Sequence, residues 1–133
     1  SIILAATGVL KDKKATSHWK PINLLSEFGA KPTRERIVEE GKYLTAAGVS
    51  AGIDMAIYLV SQLKGEKDAK AAQLSIEYDP KPMFSSGNYL TAEKDIIELS
   101  ENIIEGDAKK DFSLWEMLKN ARTLLKLKNK ASN

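Results

Sequence analysis

The sequence contains no cysteine and only one histidine among its 133 residues. The absence of cysteine excludes disulfide bonds, thiolate metal sites and a cysteine nucleophile within these residues. A single histidine also excludes a metal site built from several imidazoles. Because 20 Lys and Arg side chains stand against 18 Asp and Glu side chains, the formal net charge is only +2. We therefore expect no nucleic acid partner on grounds of charge.

Long apolar runs are missing as well. No segment approaches the roughly 20 apolar residues of a membrane-spanning helix, and the N-terminus lacks the basic flank and cleavage site of a secretory signal. We expect a cytoplasmic protein with no membrane contact. The chain has the length of one domain, and 43% of its residues are hydrophobic, which is sufficient for a core.

Residues 42–65 form the most apolar stretch and predict a strand, a turn and a helix. The turn contains Gly48 and Gly52, and the helix after it is apolar on almost every side, so it must be covered on several sides. We expect the glycines to allow a positive φ or a close approach, and Ser50 to cap the helix. Such a turn presents backbone donors suited to an anion or an oxyanion. The alternative is that the glycines only let the strand and the helix pack.

Local signals predict the elements before this stretch. Residues 1–8 are apolar and lack an N-terminal cap, so they indicate the interior of a helix that ends at Gly8. Native domains rarely begin inside a helix, and we expect the chain to be the C-terminal part of a longer protein. A strand-like segment over residues 15–19, a helix from Pro21 to Gly29 and a β-hairpin around residues 40–42 follow.

The pattern after Gly65 predicts helices with little strand. We expect a helix over residues 66–78, an irregular connector over 83–88, and a helix over 92–105 capped by Thr91 and followed by Gly106.

A last helix is predicted from Asp111 or Ser113, and it is basic whereas the preceding helix is acidic, so the two should pack antiparallel. The basic residues between 119 and 130 are interpreted as favourable charges at a helix C-terminus rather than as a nucleic acid or membrane patch. Strands that alternate with helices indicate an α/β fold with a partly parallel sheet.

Several segments form a distinctive series. They are Ala-Ala-Thr-Gly-Val-Leu10, Lys-Ala-Thr-Ser-His-Trp19, Phe-Gly-Ala30, Leu-Thr-Ala-Ala-Gly-Val-Ser-Ala-Gly-Ile-Asp54 and Gln-Leu-Ser-Ile-Glu-Tyr-Asp-Pro-Lys-Pro82. In order and spacing this series resembles the ThiJ/PfpI superfamily, and within it most of all the isonitrile (isocyanide) hydratase branch. The tail from Thr91 onward resembles no family.

The resemblance implies a flavodoxin-like, class I glutamine-amidotransferase-like three-layer sandwich, usually a homodimer, with a small-molecule substrate and no cofactor. Residues 1–90 would be the C-terminal part of this domain, and residues 91–133 would be an extension of two helices packed on it. Part of a doubly wound sheet leaves a strand edge and the underside of the helix over residues 53–63 uncovered. We therefore expect a partner that covers this surface.

The family's chemistry depends on a cysteine in a strand-to-helix turn, where the helix N-terminus lowers the thiol pKa. The family pattern places that cysteine shortly before Ser1 and its acidic partner earlier still. Both groups would lie outside this sequence, so the expected partner is the N-terminal portion of the same protein. Ser1 as an N-terminal nucleophile is a further alternative, and a start inside a helix argues against it.

The resemblance assigns supporting roles to five residues. His18 matches a histidine that approaches the nucleophile in some members, and a structural imidazole bonded to backbone is the equal alternative. Gly48, Val49 and Ser50 match the turn that lines the substrate pocket. Trp19 is placed in the same pocket, with packing as its alternative role. No metal ligands are expected.

The leading interpretation is the C-terminal part of a protein that hydrates an isonitrile to an N-substituted formamide through a cysteine thioimidate. One alternative is a non-catalytic sensing or scaffold domain, because regulators with an amidotransferase-like domain before helix-turn-helix repeats contain similar runs. The residues after Asn88 are too few for a DNA-reading module of that type. The other alternative is a family member that acts on a glyoxal adduct, a peptide or a peroxide.

Overall fold

A computed structural model describes residues 1–110 of the chain, with side chains through residue 107. The elements in chain order are α1 (Ile2–Ala6), β1 (Lys14–Ala15), α2 (Leu24–Glu27), β2 (Lys31–Pro32), β3 (Ile37–Glu40), β4 (Tyr43–Ala46), α3 (Val49–Lys64), α4 (Glu66–Ser75) and α5 (Lys94–Lys110). Helices and strands share the described chain, as the sequence predicted. The last predicted helix, from Asp111 or Ser113, and its antiparallel packing lie outside the described residues.

The strands form one parallel pair and one hairpin. β1 pairs in parallel with β2, and β3 pairs antiparallel with β4, with Glu40 opposite Tyr43. The two-residue turn of the hairpin contains Gly41, whose φ of 61° is a left-handed conformation that glycine adopts without strain. The predicted hairpin is therefore confirmed.

Two buried threonines join β1 to the hairpin. The Thr45 hydroxyl accepts a hydrogen bond from the Thr16 backbone N–H at 3.0 Å and lies 3.4 Å from the Val38 carbonyl oxygen. The Thr16 hydroxyl donates to the Glu35 carbonyl at 2.7 Å. Because Thr16 and Thr45 are almost fully buried, their polar groups cannot bond to water, and these hydrogen bonds supply the partners that they need. They set the position of the segment that follows β1.

The core lies in the first thirty residues. Its buried members are Ile2, Ala5, Leu10, Ala15, Ile22, Leu25 and Ala30, with Leu24, Phe28 and Tyr43 packed at its edge. The helices around it end at glycines with positive φ, at Gly8 after α1 and at Gly29 after α2. The predicted stops at both glycines are therefore confirmed.

The central helix α3 is apolar on most sides, yet most of its side chains are not buried. Ala51 is its only buried residue, whereas Val49 is 88% and Leu63 70% exposed. α3 packs against α4 after a sharp turn at Gly65, and the two helices border an open apolar groove of about 430 Å³. The groove is lined by Val49, Gly52, Ile53, Ala56, Ile57, Val60, Ala72 and Ile76. The described residues thus leave open the surface for which a partner was expected.

Four predicted helix boundaries are wrong. α2 begins at Leu24 rather than at Pro21. α4 ends at Ser75 rather than Tyr78, because Glu77 takes a left-handed backbone conformation with φ of 51°. α5 begins at Lys94, and the Thr91 hydroxyl contacts the Asn88 carbonyl at 3.3 Å instead of capping a helix from residue 92. α5 also continues through Gly106, since one glycine inside a helix costs only about 1 kcal/mol.

Among the described residues, no helix combines the length and the apolar character needed to cross a bilayer.

Candidate functional site

The five residues predicted for the site line one cavity. It has a volume of about 600 Å³ and lies between the segment after β1 and the first turn of α3. Its walls come from residues 16–19, 34–36, 47–51 and 87–90, together with Ile22 and Ile53. Tertiary structure therefore brings His18 and Trp19 next to Gly48, Val49 and Ser50. Their individual roles stay predictions.

The turn before α3 differs from its predicted geometry. Gly48 is the N-cap residue in extended backbone, with φ of −126°, so of the two expected possibilities, a positive φ or a close approach, the positive φ is not found. A Cβ placed at Gly48 would lie 3.9 Å from His18 Cδ2, an ordinary contact distance. Glycine is thus not required here by backbone strain, but any side chain would project toward His18 and narrow the cavity.

Ser50 does not cap α3. It lies within the first turn of the helix, and no side chain caps the helix at its N-cap residue. Its hydroxyl instead accepts a hydrogen bond from Arg36 Nη2 at 3.3 Å. The predicted cap is wrong because extended backbone at Gly48 makes that residue the N-cap and the helix begins at Val49, one residue before Ser50.

Arg36 connects the hairpin to α3 and to the end of α4. Its Nε forms an ion pair with Asp54 Oδ2, and the Tyr78 hydroxyl donates to Asp54 Oδ1 at 2.6 Å. The Tyr78 hydrogen bond is the main cause that lowers the Asp54 pKa below its ordinary value, and the Arg36 hydrogen bond and charge lower it further. Asp54 and Tyr78 belong to segments that carry the family resemblance, yet sequence reasoning gave them no role. Their contact holds the helix that supplies the cavity's turn.

His18 is half-buried and is bonded to backbone. Its Nδ1 accepts a hydrogen bond from the Lys20 backbone N–H at 3.3 Å, which places the proton of the neutral ring on Nε2. Burial lowers the His18 pKa below the ordinary 6.5. The imidazole is therefore neutral at pH 7, with Nε2–H as its donor. The backbone bond and the cavity position are compatible with both the structural and the supporting role.

Because His18 is the only histidine, its titration can be followed without assignment by mutagenesis. We expect its pKa in the folded chain to be lower than in the chain unfolded in urea, since burial disfavours the charged ring. The effect on stability has a definite sign. Above the pKa of His18 in the unfolded chain, the ring is neutral in both states and does not reduce the free energy of unfolding. As the pH falls from the unfolded-state pKa toward the lower folded-state pKa, the free energy of unfolding decreases. Proton NMR of the imidazole C–H signals measures both values. Equal pKa values in the two states would contradict the burial of this ring.

One wall of the cavity, formed by Tyr89, was not predicted from the sequence. Tyr89 stacks on Trp19 with ring centroids 4.9 Å apart and planes inclined by 12°, and the Arg34 guanidinium lies 5.2 Å from the Tyr89 centroid. Trp19 also lies 5.5 Å from the His18 ring. The available signal was an aromatic residue, Tyr89, directly after a run of Ser, Gly and Asn in the connector. Trp19 thus packs against Tyr89 and also borders the cavity, and its role stays a prediction.

α5 is tied to the same region through Lys20. Lys20 Nζ lies 2.8 Å from Glu101 Oε1 and 3.1 Å from Glu105 Oε1, and the hydrogen bonds that it donates to these carboxylates raise the Lys20 pKa. These are exposed ion pairs, so each contributes little to stability. The division of the chain at residues 90 and 91 stays a prediction.

Within the described part of the chain, no three His, Cys, Asp or Glu side chains come together in a way that could hold a metal ion.

The chain has relatives among known proteins. The sequence profile of the DJ-1/PfpI family matches residues 1–62. Isonitrile hydratase from Pseudomonas putida is 41% identical over 98 residues, which are 74% of this chain and 43% of that protein. The HTH-type transcriptional regulator CdhR from Pseudomonas aeruginosa is 32% identical over 80 residues, 59% of this chain and 23% of the regulator.

The fold has a counterpart among solved structures. The crystal structure of a ThiJ/PfpI family protein from Pseudomonas syringae superimposes with a TM-score of 0.73 at 37% identity, covering 92% of this chain and 47% of that one. The resemblance and the fold class predicted from the sequence are therefore confirmed. The chain spans less than half the length of each of these relatives.

Proposed function

Because the chain has the sequence pattern and the fold of the DJ-1/PfpI family, we propose that it is the C-terminal part of a protein that hydrates isonitriles. The observation that carries this proposal is the 41% identity to an isonitrile hydratase over 74% of the chain. The cavity supports it, since residues distant in sequence meet around a space of about 600 Å³, a size suited to a small molecule.

The proposed reaction needs a thiolate, which this cysteine-free chain does not contain. The thiolate adds to the isonitrile carbon, which takes up a proton, and a thioimidate with a new C–S bond results. Water then adds to this carbon, the C–S bond breaks, and an N-substituted formamide leaves as the thiolate returns. The cysteine and its acidic partner would come from the N-terminal portion of the same protein.

This chain would supply the surroundings of the reacting carbon. His18 offers a neutral imidazole with Nε2–H as donor, and its backbone hydrogen bond at Nδ1 keeps that tautomer. Gly48, Val49 and Ser50 form the turn beside it, and Trp19 the adjacent apolar wall. A neutral donor can stabilise developing negative charge without pairing permanently with the thiolate.

The open α3–α4 groove supports the proposed partner. Its lining is almost wholly apolar, which suits contact with an apolar surface of a partner. We assign it to the N-terminal portion, which would complete the sandwich around α3. A homodimer of the completed protein is part of the same proposal, and light scattering would measure it.

A chimera tests the proposed reaction. The region of the P. putida isonitrile hydratase that matches this chain is replaced by residues 1–133, so that the relative supplies the cysteine. We expect the chimera to convert benzyl isonitrile to N-benzylformamide, measured by liquid chromatography. The control is the same chimera with the relative's elbow cysteine changed to alanine, which should give no formamide. A folded chimera with a titratable thiol and no more formamide than this control would reject the proposal.

A second candidate is a non-catalytic sensing domain, favoured by the 32% identity to a transcriptional regulator. It predicts ligand binding in the same cavity without turnover. A DNA titration at several salt concentrations separates the two, because phosphate contacts make affinity fall steeply with salt. Salt-dependent DNA binding together with an inactive chimera would favour the regulator.

A further inference from the structure

We propose that Tyr89 sets the size limit of the substrate that the cavity accepts. The proposal rests on the function proposed above and names the class of ligand: a small isonitrile, or its formamide product, whose substituent lies against the wall formed by Arg34, Tyr89 and Trp19. We call these three residues the aromatic wall.

Two neighbouring side chains contact the Tyr89 ring. Trp19 stacks on one face at 4.9 Å and nearly parallel, and the Arg34 guanidinium lies over the ring at 5.2 Å. The three groups come from the segment after β1, the connector before the hairpin and the connector after α4. All three line the same cavity. Tyr89 therefore contacts both other members of the wall, and its ring position depends on both neighbours.

The backbone around Tyr89 is fixed as well. The Leu90 N–H donates to Asn88 Oδ1 at 2.9 Å, and the N–H groups of Thr91 and Ala92 donate to the Asn88 carbonyl at 3.0 and 2.8 Å. These bonds form a turn around the asparagine side chain, which restrains the ring's attachment point. A restrained side chain can exclude ligands by size, whereas a free one would yield to them.

Tyr89 differs from the other large side chains of its connector. Met83 is 90% and Phe84 78% exposed, whereas Tyr89 is 37% exposed. Neither Met83 nor Phe84 lines the cavity. The connector thus places the Tyr89 ring and Leu90 at the cavity and leaves Met83 and Phe84 outside it, which makes Met83 a matched control on the same segment.

Removal of the ring should enlarge the cavity on the side of the aromatic wall. A large substituent would then gain space, and a small one would lose contact, so preference should move toward large substituents. A single methylene in an apolar pocket changes selectivity by about 10- to 200-fold. For removal of the whole ring, with its neighbours unchanged, a change in this preference of about tenfold is a conservative expectation.

The test measures ligand binding by Trp19 fluorescence in the 133-residue chain. Trp115→Phe leaves Trp19 as the only indole, because the chain has two tryptophans. N-methylformamide and N-benzylformamide are the small and the large probe. In this background Tyr89→Ala should raise the affinity ratio of the large over the small probe by about tenfold. Tyr89→Phe keeps the ring and should leave the ratio unchanged, as should Met83→Ala.

The outcomes separate this inference from the proposed function. An unchanged ratio in Tyr89→Ala, an equal change in Met83→Ala or Tyr89→Phe, or no response of Trp19 to either probe would overturn the size limit. Failure of the proposed function appears elsewhere, as absence of formamide from the folded chimera. A changed ratio with an inactive chimera would keep the aromatic wall as a binding site and reject only the reaction.

Discussion

Replacement of Leu25 by alanine is expected to lower the free energy of unfolding by about 2–5 kcal/mol. Leu25 is fully buried in a cluster that has seven buried members among the described residues, so its loss leaves a cavity that few neighbours can fill. Its backbone carbonyl also accepts the N–H groups of Phe28 and Ala30 that close α2. Because small domains are stable by only about 5–15 kcal/mol, much of the total would be lost.

Urea denaturation followed by circular dichroism measures this change. Leu74→Ala is the matched control, since Leu74 is 80% exposed on α4 and its truncation should change stability by no more than about 0.5 kcal/mol. If the two variants were equally destabilised, the core would not lie where the structure places it.

Replacement of Thr45 by valine is expected to cost about 1–3 kcal/mol, although the two side chains have nearly the same shape. The change removes the acceptor of the buried Thr16 N–H and leaves that donor without a partner. Because Thr16 leads directly into Ser17, His18 and Trp19, the loss also loosens the cavity wall. Urea denaturation gives the energy, and hydrogen exchange at the Thr16 amide reports the broken bond.

Thr45→Ser separates the hydroxyl from the methyl group. It keeps the acceptor at the same position, so the Thr16 amide should stay protected and most of the stability should remain. A serine variant as unstable as the valine variant would assign the effect to packing rather than to the hydrogen bond.

Local signals in the sequence determined much of the scaffold. Glycines at positions 8, 29 and 41 predicted two helix stops and a hairpin turn, and each has the positive φ that explains its presence. The apolar run over 43–63 predicted a strand followed by a helix, which are β4 and α3. These predictions succeeded because each depends on the backbone preferences of adjacent residues.

Other local signals were overruled by contacts. Ser50 has the right chemistry for a cap, but Gly48 is the N-cap residue of α3. The Ser50 hydroxyl accepts a hydrogen bond from Arg36 instead. Gly106 has the right position for a helix stop, yet α5 runs on to Lys110. In both cases the intrinsic preference is worth about 1 kcal/mol or less, which neighbouring structure readily exceeds.

The sequence by itself determined that no thiol is available and that the chain resembles the ThiJ/PfpI family, because both follow from residue identity and order. Only the tertiary structure decided that Tyr89 lines the cavity, that Asp54 meets Arg36 and Tyr78, and that α3 and α4 border an apolar groove left open by the described residues. The physical reason is distance along the chain: stacking and ion pairing act between groups that meet only after folding, and no local pattern encodes which of them meet.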